Sequence, residues 1–460
     1  MDISVMMPAV FFAGMLLIAL EDTIKVNKAA IAISICATLW IMLLTHMQAV
    51  FQSGIPELVQ VYAKAYPELI SKIPKDEIAS LYFGKSLQMS LGNVSSTLFF
   101  VLASMAIIEI LDSHGAFSAI TRAIRTRSKR ALLWIISGIT FILAAILGNL
   151  ATVIIVVAVL RKLISDAGER LPYSCLAIIA ANAGGCWSPI GDVTTLLLWT
   201  GGNIKAVTQI AHLILPAAVT IAIPCAILTF KYKKGEKITG TTMKDELNLP
   251  SFDTRLFQTI LLCVGLLSFL LVPVLQASLE LPPYMCVIFG LAILWIITDI
   301  RAAVSGDPRG AKIKVSQLFS HLDIATVLFF LGILMSVEAM KEANVLTGLA
   351  TMMNNAIHEP NIIAMLLGGC SSVLDNVALV AAAMGMYPIA AAGPFMADSV
   401  FWIFLAYCAV TGGSILIIGS ASGVTVMGLE KVSFTYYLKK FTPLALLAYL
   451  CGCGLYLLMC

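Results

Sequence analysis

Charge is scarce in this sequence. Of 460 residues, 12% are Asp, Glu, Lys or Arg, about half the roughly 25% that soluble domains carry. With 60% hydrophobic residues and a mean hydropathy of +0.96, there is too little polar surface for a soluble fold. The short alternating segments of a transmembrane β-barrel are missing as well. Metal-ligand spacing is absent among the five histidines, His46, His114, His212, His321 and His358. No basic stretch precedes the first apolar run, which argues against a cleaved signal peptide. The eleven cysteines include Cys36, Cys263, Cys286 and Cys408 inside apolar runs. They read as small membrane-core residues and not as a disulfide framework. Cys451 and Cys453 form a C-x-C, read as packing in preference to a metal site.

What is present is a series of long apolar runs. A hydrocarbon core about 30 Å thick needs roughly 20 apolar residues per helix. The runs predict an all-α polytopic membrane protein with spans at 5–20, 29–50, 87–111, 131–165, 173–199, 206–230, 255–278, 283–300, 323–340, 361–386, 399–428 and 441–459. Four of these, 131–165, 173–199, 361–386 and 399–428, are interrupted by Gly, Pro or polar residues. Lys and Arg in short loops mark the cytoplasmic side. Basic loops follow span three (Arg122, Arg125, Arg127, Lys129, Arg130), occupy 231–254 (Lys231, Lys233, Lys234, Lys237, Lys244) and follow span eight (Arg301, Arg309, Lys312, Lys314). All three fall on one side if 131–165 and 361–386 are re-entrant hairpins, with both termini outside. The mixed stretch 56–73 either lies along the outer surface or is an ordinary loop.

An internal repeat is visible. ILGNLATVIIVVA (146–158) and ANAGGCWSPIGDVTT (181–195) match VLDNVALVAAAMG (373–385) and CAVTGGSILIIGSASG (408–423). Asn149 pairs with Asn376, Gly184-Gly185 with Gly412-Gly413, and Gly191 with Gly419. The gap from Asn to the glycine pair is 35 residues in one half and 36 in the other. Span directions make the halves antiparallel, so two inverted-topology repeats are expected. The first is 1–230 and the second 255–460, joined by the basic cytoplasmic linker 231–254. Such repeats with paired broken helices are the plan of secondary transporters, with the site near the midplane. Broken backbone at membrane depth is tolerated only where it is buried in protein or lines a water-filled cavity.

A carboxylate at bilayer depth costs about 3 kcal/mol on insertion scales, so it needs a partner, a proton or a cation. Asp192 follows the break at Pro189, with Ser188, Thr194 and Thr195 nearby; it serves as an ion or proton site, as the cap of the next helix, or as both. Asp375-Asn376 stands at the middle of 361–386 beside Ser371 and Ser372, with the same two readings. The first half carries Gly148-Asn149 at the matching place, an amide without an acid. Glu109 and Glu338 sit near span ends, where an acid can also reach water. Asn182, Ser414, Ser420, Ser422 and Thr425 add polar groups on the interrupted spans. Gly184, Gly185, Gly191, Gly412, Gly413 and Gly419 are read as hinges that permit unwinding and close approach.

The motifs IAANAGGCWSPIGDVTTLLLW (179–199), LDNVALVAAAMGMYP (374–388), VLFFLGILMSVEAM (327–340), VLRKLI (159–164) and AYCAVTGGSILIIGSASGVTVMGLEKV (406–432) resemble the NhaD-type sodium/proton antiporters of the wider ion transporter superfamily. The likeness runs across most of the chain. It implies exchange of Na⁺, often Li⁺ too, for H⁺, hairpins tipping toward a midplane site, and a homodimer. By position it implies polar roles for Asp375, Asn376, Asn149, Asp192, Thr194, Ser414, Ser420 and Glu109, with Na⁺ at Asp375, Asn376, Asn149 and Asp192. Three positions depart from the family. Gly148 replaces the acid of the first tip, Ala151 a common hydroxyl residue, and Glu338 an Asp.

The expected activity is therefore secondary active transport, not enzymatic catalysis. Protons and Na⁺ compete for midplane carboxylates under alternating access. No cofactor and no nucleic acid is called for; the partners are Na⁺, Li⁺, H⁺, lipid and a second copy. The membrane is a bacterial inner membrane or an organellar inner membrane. One alternative is a Na⁺- or H⁺-coupled dicarboxylate or oxyanion carrier, which half-helix N-termini would suit. Against it, neither break carries Arg or Lys. A remote alternative is an intramembrane aspartyl protease using Asp192 and Asp375. Pro189 spoils its G-x-G-D signature, and the repeat has no use there.

Overall fold

The computed structural model describes residues 3–19, 21–47, 75–118, 126–238, 252–305 and 318–460, together with residues 50 and 124. The stretch 56–73 and the bases Arg122, Arg125, Lys244, Arg309, Lys312 and Lys314 lie outside the described residues. The chain is an all-α polytopic membrane protein. Among the described residues there is no strand, only isolated bridges such as Ser128 with Lys237. Among the described residues eight helices are long and apolar enough to cross a membrane.

Among the described residues the helices longer than a single turn are α1 (Ile3–Ala19), α2 (Lys28–Thr45), α3 (Lys75–Ser113), α4 (Lys129–Leu147), α5 (Asn149–Leu163), α6 (Ala167–Cys186), α7 (Val193–Thr200), α8 (Ala206–Lys231), α9 (Phe252–Leu279), α10 (Pro283–Ser305), α11 (Ile324–Glu342), α12 (Val345–Ile357), α13 (Pro360–Cys370), α14 (Asn376–Met386), α15 (Val400–Gly412), α16 (Ala421–Glu430), α17 (Phe434–Lys440) and α18 (Thr442–Met459). Each of the four spans expected to be interrupted is two helices: α4/α5 part at Gly148, α6/α7 at 187–192, α13/α14 at 371–375 and α15/α16 at 413–420. Helices α12 and α17 lie between the spans expected from the sequence.

The described residues cluster into two compact units. One comprises residues 1–98, 324–358 and 381–388; the other comprises 99–323, 359–380 and 389–460. In the first, α2 packs along α11, and the Trp40 indole donates to Met335 O at 2.9 Å. In the second, two broken helices form the centre. Every residue from Tyr173 to Cys186 in α6 and from Phe401 to Gly412 in α15 is buried. A helix apolar on every face belongs inside a bundle, and here α4 packs on α6, α13 on α15, and α6 on α15.

The breaks leave helix ends inside this core, and freed carbonyls need donors. Buried Gln209 of α8 supplies one, donating from Nε2 to Cys186 O at 2.9 Å. Tyr437 of α17 supplies another, to Ser414 O at 2.7 Å.

Candidate functional site

The first break turns on one residue. Gly148, at φ +86° and ψ 156°, both ends α4 and precedes α5. That combination is open essentially to glycine alone, so an aspartate would require a different backbone here. The turn aims Asn149 into the core. Its backbone N–H donates to Gly191 O at 3.1 Å, joining the first tip to the second break. Its Oδ1 accepts from Leu150 N–H at 2.7 Å. Its Nδ2 donates to Asn182 Oδ1 at 2.9 Å and to Asp192 Oδ2 at 2.5 Å.

Asp192 is buried and begins α7. Its Oδ1 accepts from Thr194 N–H at 2.8 Å, and Thr195 completes a capping box. Both carboxylate oxygens are also within reach of the Asn376 Nδ2 donor, at 3.3 and 3.4 Å. The third break therefore reaches the same acid. All these donors are neutral; among the described residues no Lys or Arg pairs with Asp192. Asp375 lies near enough for the two negative charges to repel. The structure thus assigns Asp192 a capping role, and the cap leaves its second oxygen facing two amides.

Asn182 connects this acid to the fourth break. Fully buried in α6, it donates from Nδ2 to Ser414 Oγ at 2.8 Å and to Ser420 Oγ at 3.0 Å. Its Oδ1 accepts from Ser422 Oγ at 2.9 Å as well as from Asn149. Ser420 caps α16 through Gly423 N–H at 3.2 Å, and Ser420 and Ser422 share a hydrogen bond of 2.9 Å. All four breaks thus meet in one buried network of amides, hydroxyls and a carboxylate.

Asp375 is half-buried and caps α14, its Oδ1 accepting from Val377 N–H at 2.9 Å and Ala378 N–H at 3.4 Å. The nearby Ser371 and Ser372 hydroxyls donate to backbone, to Ala409 O and Gly369 O. Ser188 is buried in the second break, where its hydroxyl accepts from Ile190 N–H at 3.4 Å. Glu109 and Glu338 take other partners. Glu109 accepts from Ser113 Oγ one turn later, whereas Glu338 meets Ser90 Oγ at 3.4 Å and Lys341 Nζ at 3.6 Å.

The expected hinge glycines occupy matching places in the two halves. Gly185 and Gly191 face each other across one break; a methyl on Gly185 would lie 2.6 Å from Gly191 O. Gly413 and Gly419 do the same across the other, at 3.1 Å. Gly184 abuts Phe141 O of α4, and Gly412 abuts Gly368 O of α13.

Two further oxygens belong with this group. Thr194 Oγ1, two residues after Asp192, is buried with no hydrogen-bond partner. Thr152 Oγ1, in the first turn of α5, is buried with no hydrogen-bond partner. Hard cations take oxygen ligands, so both are available acceptors. Thr194 is among the residues expected from the sequence; Thr152 is not, and its one sequence signal is a hydroxyl three residues after the tip Asn. Among the described residues no cluster of His, Cys, Asp and Glu could hold a resident metal.

Paired broken helices whose ends meet in a buried polar network are the plan of a polytopic secondary transporter. The family model described as "Citrate transporter" matches residues 5–404. "Sodium/proton antiporter 1" of Arabidopsis thaliana is 37% identical over 453 residues, covering 98% of this chain and 72% of that protein. "Sodium/proton antiporter 2" of the same plant is 34% identical over 457 residues, 98% of each. "Na(+)/H(+) antiporter NhaD" of Alkalimonas amylolytica is 28% identical over 388 residues, 78% of this chain and 76% of that protein. The chain belongs to the NhaD-type sodium/proton antiporter family, within the wider family that carries the citrate-transporter description.

Proposed function

We propose that this protein exchanges Na⁺ for H⁺ across its membrane. The observation that carries the reading is the environment of Asp192, a buried carboxylate whose donors among the described residues are neutral. A carboxylate removed from water requires a counter-charge or a proton. With no Arg or Lys among the described residues to serve, a bound Na⁺ or H⁺ completes the site, and each excludes the other. Asp375 sharpens the competition, because two nearby carboxylates do not both ionise readily without a cation between them. Asn149, Asn182, Asn376, Ser414, Ser420, Thr194 and Thr152 offer neutral oxygens around the pair.

Alternating access follows from the inverted-repeat plan, which the matched glycine contacts of the two halves support. Li⁺ uses the same oxygen chemistry and is expected as a second cargo. The names of the plant and bacterial relatives favour cation exchange over anion uptake, and a dianion beside Asp192 would be repelled.

The test is Asp192→Asn and, separately, Asp375→Asn in everted vesicles, read by dequenching of a pH-sensitive dye on adding Na⁺. Loss of the Na⁺-dependent signal in both is expected. Undiminished exchange in the Asp192 variant would refute the reading. Uptake of labelled citrate or succinate by the unmodified protein would replace it with the anion carrier.

A further inference from the structure

Three helices that carry the network, α5, α6 and α16, meet again at their far ends. Arg161 lies in the last turn of α5, Arg170 in the first turn of α6, and Glu430 is the final residue of α16. The Glu430 side chain is completely inaccessible, at 0% exposure. Its Oε1 accepts from Arg161 Nε at 2.7 Å and its Oε2 from Arg170 Nε at 2.6 Å. Each guanidinium also holds a helix end. Arg161 Nη2 donates to Leu429 O, and Arg170 Nη1 donates to Ile164 O at 2.9 Å.

Local helix energetics do not account for this cluster. Arg161 suits the C-terminal end of α5, but Arg170 at the start of α6 and Glu430 at the end of α16 both oppose the helix dipole. A buried ion pair is weak as a source of stability, because desolvation offsets attraction. What the cluster does supply is register. Asn149 to Arg161 and Arg170 to Asn182 are each 12 residues, and Ser420 to Glu430 is ten. At 1.5 Å per residue these are rods of about 18, 18 and 15 Å. Each is tied into the central network near one end and to Glu430 near the other. A slip of one residue along any rod would move its ligand oxygen by about 1.5 Å, enough to uncouple it from a cation.

We propose that Glu430, with Arg161 and Arg170, is a positioning clamp that keeps the three site-bearing helices in axial register and thereby sets the affinity for Na⁺. The proposal rests on the Asp192 network being the ion site. It predicts a specific kinetic pattern in Glu430→Gln. The half-saturating Na⁺ concentration should rise about tenfold, the equivalent of about 1.4 kcal/mol of lost ion affinity, while the maximal rate of dye dequenching is retained. Arg161→Lys keeps the charge but loses the fork to Leu429 O, and should shift half-saturation in the same direction by less.

Both variants are assayed in everted vesicles at matched membrane protein levels, beside Asp192→Asn. Unchanged half-saturation in Glu430→Gln overturns the clamp. So does a fall in maximal rate with half-saturation unchanged, which is the mark of a merely structural role. Should Glu430→Gln fail to reach the membrane, Arg161→Lys decides, and unchanged half-saturation there overturns the proposal. An inactive Asp192→Asn with an unaltered Glu430→Gln rejects the clamp alone. An active Asp192→Asn rejects the site on which it rests.

Discussion

Asn182 is the residue whose loss should cost the network most. It makes four side-chain hydrogen bonds, to Asn149, Ser414, Ser420 and Ser422, and no part of it reaches solvent. Each buried hydrogen bond contributes about 1 kcal/mol net. Asn149 keeps its bond to Asp192, and Ser420 and Ser422 keep theirs to each other, so not every partner is orphaned. Asn182→Ala should therefore destabilise the protein by about 3 kcal/mol, four bonds less partial recovery. Ser414→Ala removes one bond and leaves the Asn182 amide its second acceptor, Ser420, so about 1 kcal/mol is expected. The assay is the heating midpoint of monodisperse protein in detergent, measured for both variants in parallel with Na⁺-driven dequenching. A midpoint for Asn182→Ala equal to that of Ser414→Ala would refute the claim that one amide joins the breaks.

Gly412→Ala places a methyl against Gly368 O, where backbone cannot yield easily; overpacking of this kind costs about 1–3 kcal/mol. Gly428→Ala meets open space and should match or exceed the parent in membrane level and heating midpoint. Outside the spans, the Glu236 carboxyl accepts from Lys129 Nζ at 2.8 Å and Lys233 N–H at 3.1 Å, and the Lys129 bond holds it below its usual value of 4.5. A depressed carboxyl stabilises docking above its unfolded value and loses that contribution as pH falls through the folded one. Protection of 232–238 from an acid-tolerant protease should therefore hold above pH 4.5 and fade below it; Glu236→Gln should remove the dependence.

The helices and their breaks were legible because their causes are local. Apolar length reports a span, and GG-x-x-SPIGD reports a place where a helix cannot continue. The tips were legible too, since an Asn after a glycine or an aspartate recurs in both halves. Roles were harder to read. Ser371 and Ser372 sit beside Asp375 in sequence, yet their hydroxyls serve backbone carbonyls. Glu109 and Glu338 look like intramembrane acids, but each takes a partner within its own unit. Thr152 carries no local mark except its spacing from Asn149.

The sequence by itself determined that the chain is a bundle of membrane helices, where four of them break, and which polar residues lie at each break, because hydropathy and backbone freedom are properties of short segments. Only the tertiary structure decided which of those residues meet. Asn182 is 238 residues from Ser420, and Glu430 is 269 from Arg161. Groups that far apart are brought to hydrogen-bonding distance by the packing of α6 on α15 and of α5 and α6 on α16, and no local pattern encodes that packing.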